Sequence, residues 1–136
     1  MKIFVCVEDN GGMMFGGRRV SRDRVLINDV IRDCRNRRLR IHPYSVLLFK
    51  DADVAPTVSE SFLDDAARGD CCFVENASLA PYADRIDELV IYRWNRRYPS
   101  DKKLDVTPAM LGLKLSETVE FVGSSHEKIT KETYVK

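Results

Sequence analysis

Three short runs of this chain are apolar at consecutive positions, and they constrain its fold more than any other feature. Lys2–Val7 contains Ile3-Phe4-Val5-Cys6-Val7, Asp70–Glu75 contains Cys71-Cys72-Phe73-Val74, and Glu88–Asn95 contains Leu89-Val90-Ile91-Tyr92. A strand points successive side chains to opposite faces, so a run without polar alternation is a strand covered on both sides. Such strands need helices or loops layered against each face of their sheet. Between the first two strands, Leu26, Val30 and Cys34 lie on one helical stripe with Ile27 and Ile31 beside it, so a helix runs to about Cys34 with Ser21 as its N-cap.

The remaining elements are shorter. Leu39–His42 reads as a strand ended by Pro43, and Pro43–Phe49 as a helical turn. Ser59 caps a short helix through Arg68, with Gly69 as its stop. Pro81–Asp84 is a turn, Leu111–Leu115 and Glu117–Val122 are strands, and Ser125 caps a last helical turn supported by Glu127 and Lys131. No repeat or linker divides residues 1–136, so the expectation is one α/β (or α+β) domain. It has a mixed sheet of about five to six strands with two or three helices on it.

A chain of 136 residues with 44% hydrophobic and 32% charged residues can bury a core without staples. The longest apolar stretches have strand length, too short for a membrane span, and acidic Glu8 and Asp9 arrive too early for a signal peptide. Cys6, Cys34, Cys71 and Cys72 offer no Cys-x-x-Cys spacing and read as buried reduced thiols of a cytoplasmic protein. Net charge is +1, but residues 1–50 hold 11 Lys/Arg against 5 Asp/Glu, and the rest hold 11 against 16. That asymmetry fits an anionic partner for the first third. It fits equally well a basic third that pairs with the acidic remainder.

Four places carry the residue types of a site. In the loop Gly11–Arg24, Gly16, Gly17, Arg18, Arg19, Ser21 and Arg22 sit between a strand and a helix start, where backbone N–H groups and guanidinium forks hold phosphate. In the turn Gly123–Lys128, Ser124 and Ser125 supply donors and His126 a general acid or base. Glu8, Asp9 and Glu75 follow strands, and carboxylates meeting at one sheet edge can hold Mg²⁺, with Glu75 and His126 then catalytic. Arg93–Tyr98 interleaves cations with aromatics, as single-strand nucleic-acid surfaces do, although Trp94 reads as core.

The stretches Gly16–Asp23, Phe73–Asn76, Leu89–Arg96 and Gly123–Glu132 resemble a family of small bacterial proteins that often carry the label ribonuclease Z. True ribonuclease Z needs a His-x-His-x-Asp-His cluster for two zinc ions, whereas this chain has only His42 and His126. The resemblance therefore implies no catalytic residue. The leading expectation is a binder of a phosphate-bearing ligand, nucleotide or RNA, through the Gly/Arg loop. The alternatives are a metal-dependent phosphoester hydrolase or nuclease, and a protein-interaction module. No membrane partner is expected, and a homodimer stays open.

Overall fold

A computed structural model describes residues 1–136. The chain opens with β1 (Lys2–Val7) and folds back in a hairpin of β2 (Gly12–Phe15) and β3 (Arg18–Arg19). Helix α1 (Arg24–Asp33) leads to β4 (Leu39–Ile41). A 3₁₀ turn (Pro43–Ser45) and α2 (Val46–Phe49) lead to β5 (Thr57–Val58), then α3 (Phe62–Asp65) to β6 (Cys71–Phe73). A second 3₁₀ stretch (Ala80–Arg85) precedes β7 (Glu88–Arg93), and β8 (Lys102–Lys103), β9 (Lys114–Phe121) and β10 (Ile129–Val135) complete the chain.

Seven strands form one mixed sheet in the order β5-β4-β6-β1-β7-β10-β9, and β3-β2-β8 form a small second one. From β5 to β7 neighbours run parallel, while β10 is antiparallel to both β7 and β9. The three apolar runs become the adjacent central strands β6, β1 and β7, each buried on both faces. On one face Ile3, Val5, Cys72, Leu89 and Ile91 meet Phe62, Leu63, Leu79 and Ile86. On the other Phe4, Phe73, Val90 and Tyr92 meet Leu26, Ile27 and Val30 of α1 and Phe49 of α2. Each such fully buried side chain contributes about 1.5–3 kcal/mol of transfer free energy.

The connections decide where a ligand can sit. From β4 the chain leaves outward to β5 over the α1/α2 face, and from β6 it leaves the opposite way to β7 over the other face. Where neighbouring strands send their connections apart, a crevice opens outside their carboxyl ends.

Several sequence expectations change. The glycine-rich loop is largely the β2–β3 hairpin, with Gly16 and Gly17 at positive φ in its two-residue turn. Ser21 does not cap α1. Asp23 does, accepting from the N–H groups of Val25 and Leu26. The Ser59 helix shrinks to α3, and the two segments around Glu117 merge into β9. Residues after Ser125 form strand β10, not a helical turn, because Ile129–Val135 fills the gap between β7 and β9. The main sheet thus has seven strands instead of five or six.

Candidate functional site

Two clusters gather at the carboxyl edge of the sheet. The first ties the two termini of the site together. Asp23 Oδ1 accepts from the N–H groups of Val25, Leu26 and Ser124, at 2.9, 3.2 and 3.0 Å. Its Oδ2 accepts from Ser125 N–H at 2.8 Å and pairs with His126 Nδ1 at 3.0 Å. Burial opposes ionisation of Asp23, but the hydrogen bonds from His126, Ser125 and Ser124 outweigh it and hold the carboxyl far below its usual range. An ionised carboxylate only accepts, so Nδ1 carries the imidazole proton. His126 Nε2 then faces two hydroxyls, Ser21 at 2.9 Å and Tyr98 at 3.1 Å. The ring stacks on Trp94, centroids 4.5 Å apart.

Close approach explains Gly123. A Cβ there would lie 2.8 Å from Ile129 Cδ1 and closer still to the Asp23 carboxylate.

The second cluster closes the crevice beyond β4 and β6. Arg19 grips Glu75 with Nε at 2.7 Å and Nη2 at 3.0 Å, and Nη2 also donates to Tyr44 O at 3.1 Å. Its guanidinium lies over the Tyr44 ring, and Ser45 Oγ donates to Glu75 at 2.7 Å. Burial alone would lower the Arg19 pKa, but the Glu75 hydrogen bond leads and raises it.

Beside these lies a cavity of about 20 Å³, room for a single water. It is mostly apolar, with Cys6, Val20, Ile27, Leu48 and Trp94 among its walls and Ser21, Asp23 and Glu75 as polar edges. Desolvation, then the charges of Glu75 and Asp23, push the Cys6 thiol well up, so it stays neutral. The indole N–H of Trp94 is buried and has no hydrogen-bond partner. Arg22, Asp23, Ile27 and Leu48 also line an open groove of about 550 Å³ between α1, α2 and the Ser124–Ser125 turn. Arg22, Arg24 and Lys50 stand in that groove with no salt bridge.

The fold therefore brings together Ser21, Arg22, Ser124, Ser125 and His126, residues from opposite ends of the sequence. It does not bring together the proposed metal ligands. Glu8 is spent on the N–H groups of Gly12 and Asn10 and on Ser100 Oγ, at 2.7, 3.0 and 3.0 Å. Burial raises its pKa, and the Asn10 and Gly12 hydrogen bonds overcome that and lower it overall. Glu75 belongs to Arg19, Asp9 is exposed, and no group of three His, Cys, Asp or Glu could hold a metal. Gly16 and Gly17 are exposed at the hairpin tip, where Gly16 N–H donates to Asp101, and Arg18 beside them has no salt bridge. Asp23 and Leu48 join the site unannounced by the sequence reading, and Trp94 and Tyr98 of the Arg93–Tyr98 segment face His126. Asp23 had a legible signal, since Asp caps helices at least as well as Ser.

The class of fold is that of dihydrofolate reductase. No family model matches the sequence, and no curated protein matches it either. Among solved structures the chain is similar to the dihydrofolate reductase from Enterococcus faecalis complexed with NADP(H) and RAB-propyl. The TM-score is 0.64 at 12% identity, over 98% of this chain and 94% of that one. This likeness overturns the resemblance to proteins labelled ribonuclease Z, whose name implies a different fold. The fold likewise does not support the hydrolase or nuclease reading, and the Gly/Arg loop expected to hold phosphate is a hairpin. No helix is long and apolar enough to cross a membrane.

Proposed function

We propose that this protein binds a small, flat heteroaromatic ligand with an anionic tail. An acceptor atom at the ring's edge fills the water-sized cavity beside Trp94, and the ring and tail lie in the adjoining groove near Arg22, Arg24 and Lys50. The observation that carries the reading is the Trp94 indole N–H, a buried donor without an acceptor on the wall of a largely apolar cavity. An unpaired buried donor costs about 1–3 kcal/mol, which a ring nitrogen or carbonyl acceptor recovers. Dihydrofolate joins a flat heterocycle to a carboxylate tail, and a mononucleotide joins one to phosphate, so both fit the description. Ser21 lines the same cavity and shares its hydrogen bond with His126, so Ser21 and His126 orient the ring and can pass it a proton. Ser124 and Ser125 act indirectly by holding Asp23. Four unpaired cysteines suit a reducing, cytoplasmic setting.

Trp94 is the only tryptophan, so its emission reports the site directly. Titration with dihydrofolate or adenosine monophosphate changes that emission and raises the melting temperature. Ligand at about a hundred times its Kd adds about 2.7 kcal/mol. Leu48→Tyr, which fills the shared mouth of cavity and groove, abolishes the response, and Arg22→Ala with Lys50→Ala weakens it. Unchanged emission and melting with every flat heterocycle overturns the reading.

A further inference from the structure

The similar reductase was solved with NADP(H), so the carboxyl edge of this chain can be tested for a place to hold a dinucleotide. A pyrophosphate seated in the crevice between diverging connections needs free N–H groups at a turn or helix start there and a cation of that crevice, distinct from the groove of Arg22, Arg24 and Lys50, to pair with. We infer that this chain has sealed that crevice with its own side chains and does not take NADP(H) there.

The turns beyond β1 and β4, the start of α1 and the segment beyond β6 at Ser78–Ala80 share one arrangement. After β1, the N–H groups of Asn10 and Gly12 go to the Glu8 carboxylate. At the start of α1, those of Val25 and Leu26 go to Asp23, and that of Arg24 goes to Ser124 Oγ. After β4, Pro43 has no N–H, Tyr44 N–H donates to His42 Nδ1, and Ser45 N–H donates to His42 O. After β6, the N–H groups of Leu79 and Ala80 and the Ser78 hydroxyl all donate to Asp105. Three carboxylates of the chain thus stand where a bound anion would.

The cation of the crevice is claimed as well. Arg19 is held by Glu75, and Ser45 and Tyr44 complete the closure. A pyrophosphate would have to separate Arg19 from a carboxylate whose side chain is only 8% exposed. Breaking such a pair leaves a buried charge uncompensated, which is strongly unfavourable. A Cβ on Gly12 would meet Ser100 and the Glu8 carboxylate, so the turn after β1 is packed against its own acid and not opened toward solvent. The buried side-chain oxygen left without a partner just after β6, Asn76 Oδ1, is an acceptor and cannot hold a phosphate oxygen. What remains for its own residues is binding, and proton movement through Ser21 and His126.

The test is NADPH titrated into the full-length protein. It is followed by energy transfer from Trp94, by NADPH emission and by thermal shift. Wild type gives no shift with inorganic pyrophosphate and responds to NADPH no more strongly than to adenosine monophosphate, whereas Glu75→Gln, which frees Arg19, gains a response to pyrophosphate and a stronger one to NADPH. Wild-type binding of pyrophosphate, or of NADPH far more tightly than of adenosine monophosphate, overturns the inference, and so does a folded Glu75→Gln protein that ignores pyrophosphate and gains nothing with NADPH. Should Glu75→Gln not fold, the wild-type titration alone decides. Dihydrofolate runs in a separate arm, so loss of the ring-binding reading leaves a distinct result.

Discussion

A carboxylate offers about four lone-pair positions, and Asp23 gathers five donors around them from both ends of the chain: two at the start of α1 and three from Ser124, Ser125 and His126. Removing its charge leaves helix cap and C-terminal turn without their common acceptor. Asp23→Asn is expected to cost about 3 kcal/mol and to lower the melting temperature by roughly ten degrees. The glycines give a second check. Gly123→Ala drives a Cβ into Asp23 and Ile129, whereas Gly17→Ala meets open space and strains only its φ of 76°. The first should cost about 3 kcal/mol and the second about 1 kcal/mol in urea unfolding. Equal costs would mean that the turn is not clamped as described. Beyond the aptness of Asp23 as a helix cap, the clamp itself was not legible in the sequence. Ser21, Asp23 and His126 sit more than a hundred positions apart at the extremes, and only the fold makes them neighbours.

Elements with strong local patterns were readable, and those defined by a partner were not. The uninterrupted apolar runs identify β1, β6 and β7 because burial on both faces leaves no polar alternation. Strand β10 carries Lys131 and Glu132 in its middle, so its sequence reads as helically spaced charge. What makes it a strand is tertiary: Lys131 Nζ reaches Asp29 at 2.9 Å and Asp33 at 2.8 Å on α1. Lys2 of β1 also holds Asp33, and Tyr92 of β7 donates to Asp29. Part of the basic first third is likewise spent inward, through Arg19–Glu75, Arg37–Glu88 and Arg40–Asp70. Replacing Lys131 by Met leaves two carboxylates short of a cation on a half-buried face. Expect a loss of about 3 kcal/mol, with Asp29→Asn in the same chain recovering part of it. Additive losses in that double variant would show that the lysine acts by packing alone.

At the scale of the whole molecule these contacts set the pH range over which the protein is stable. Glu8, Asp23, Asp29, Asp33, Asp70, Asp87 and Asp105 all have pKa values lowered in the fold. For most of them burial pulls upward and hydrogen bonds or cations prevail, while for Asp87 the bond from the N-terminal ammonium leads. A depressed folded pKa means that the unfolded chain binds protons first as pH falls. The stability these groups contribute is therefore complete above the unfolded carboxyl range of about 4 and is lost progressively below it. The alkaline side runs in the opposite sense. Burial pushes Cys72 up to about 12, and desolvation raises Cys6 and Tyr92 far above their ordinary values. Their folded forms stay neutral while the unfolded thiols ionise from about pH 8.5, so stability declines as pH rises past that point. Melting temperature against pH should therefore trace a plateau falling away below about pH 4 and above about pH 8.5. Asp23→Asn should flatten the acid limb, because it removes a strongly depressed carboxyl, and leave the alkaline limb in place. A melting temperature that rises on acidification below about pH 4 would contradict the whole set of carboxylate contacts at once.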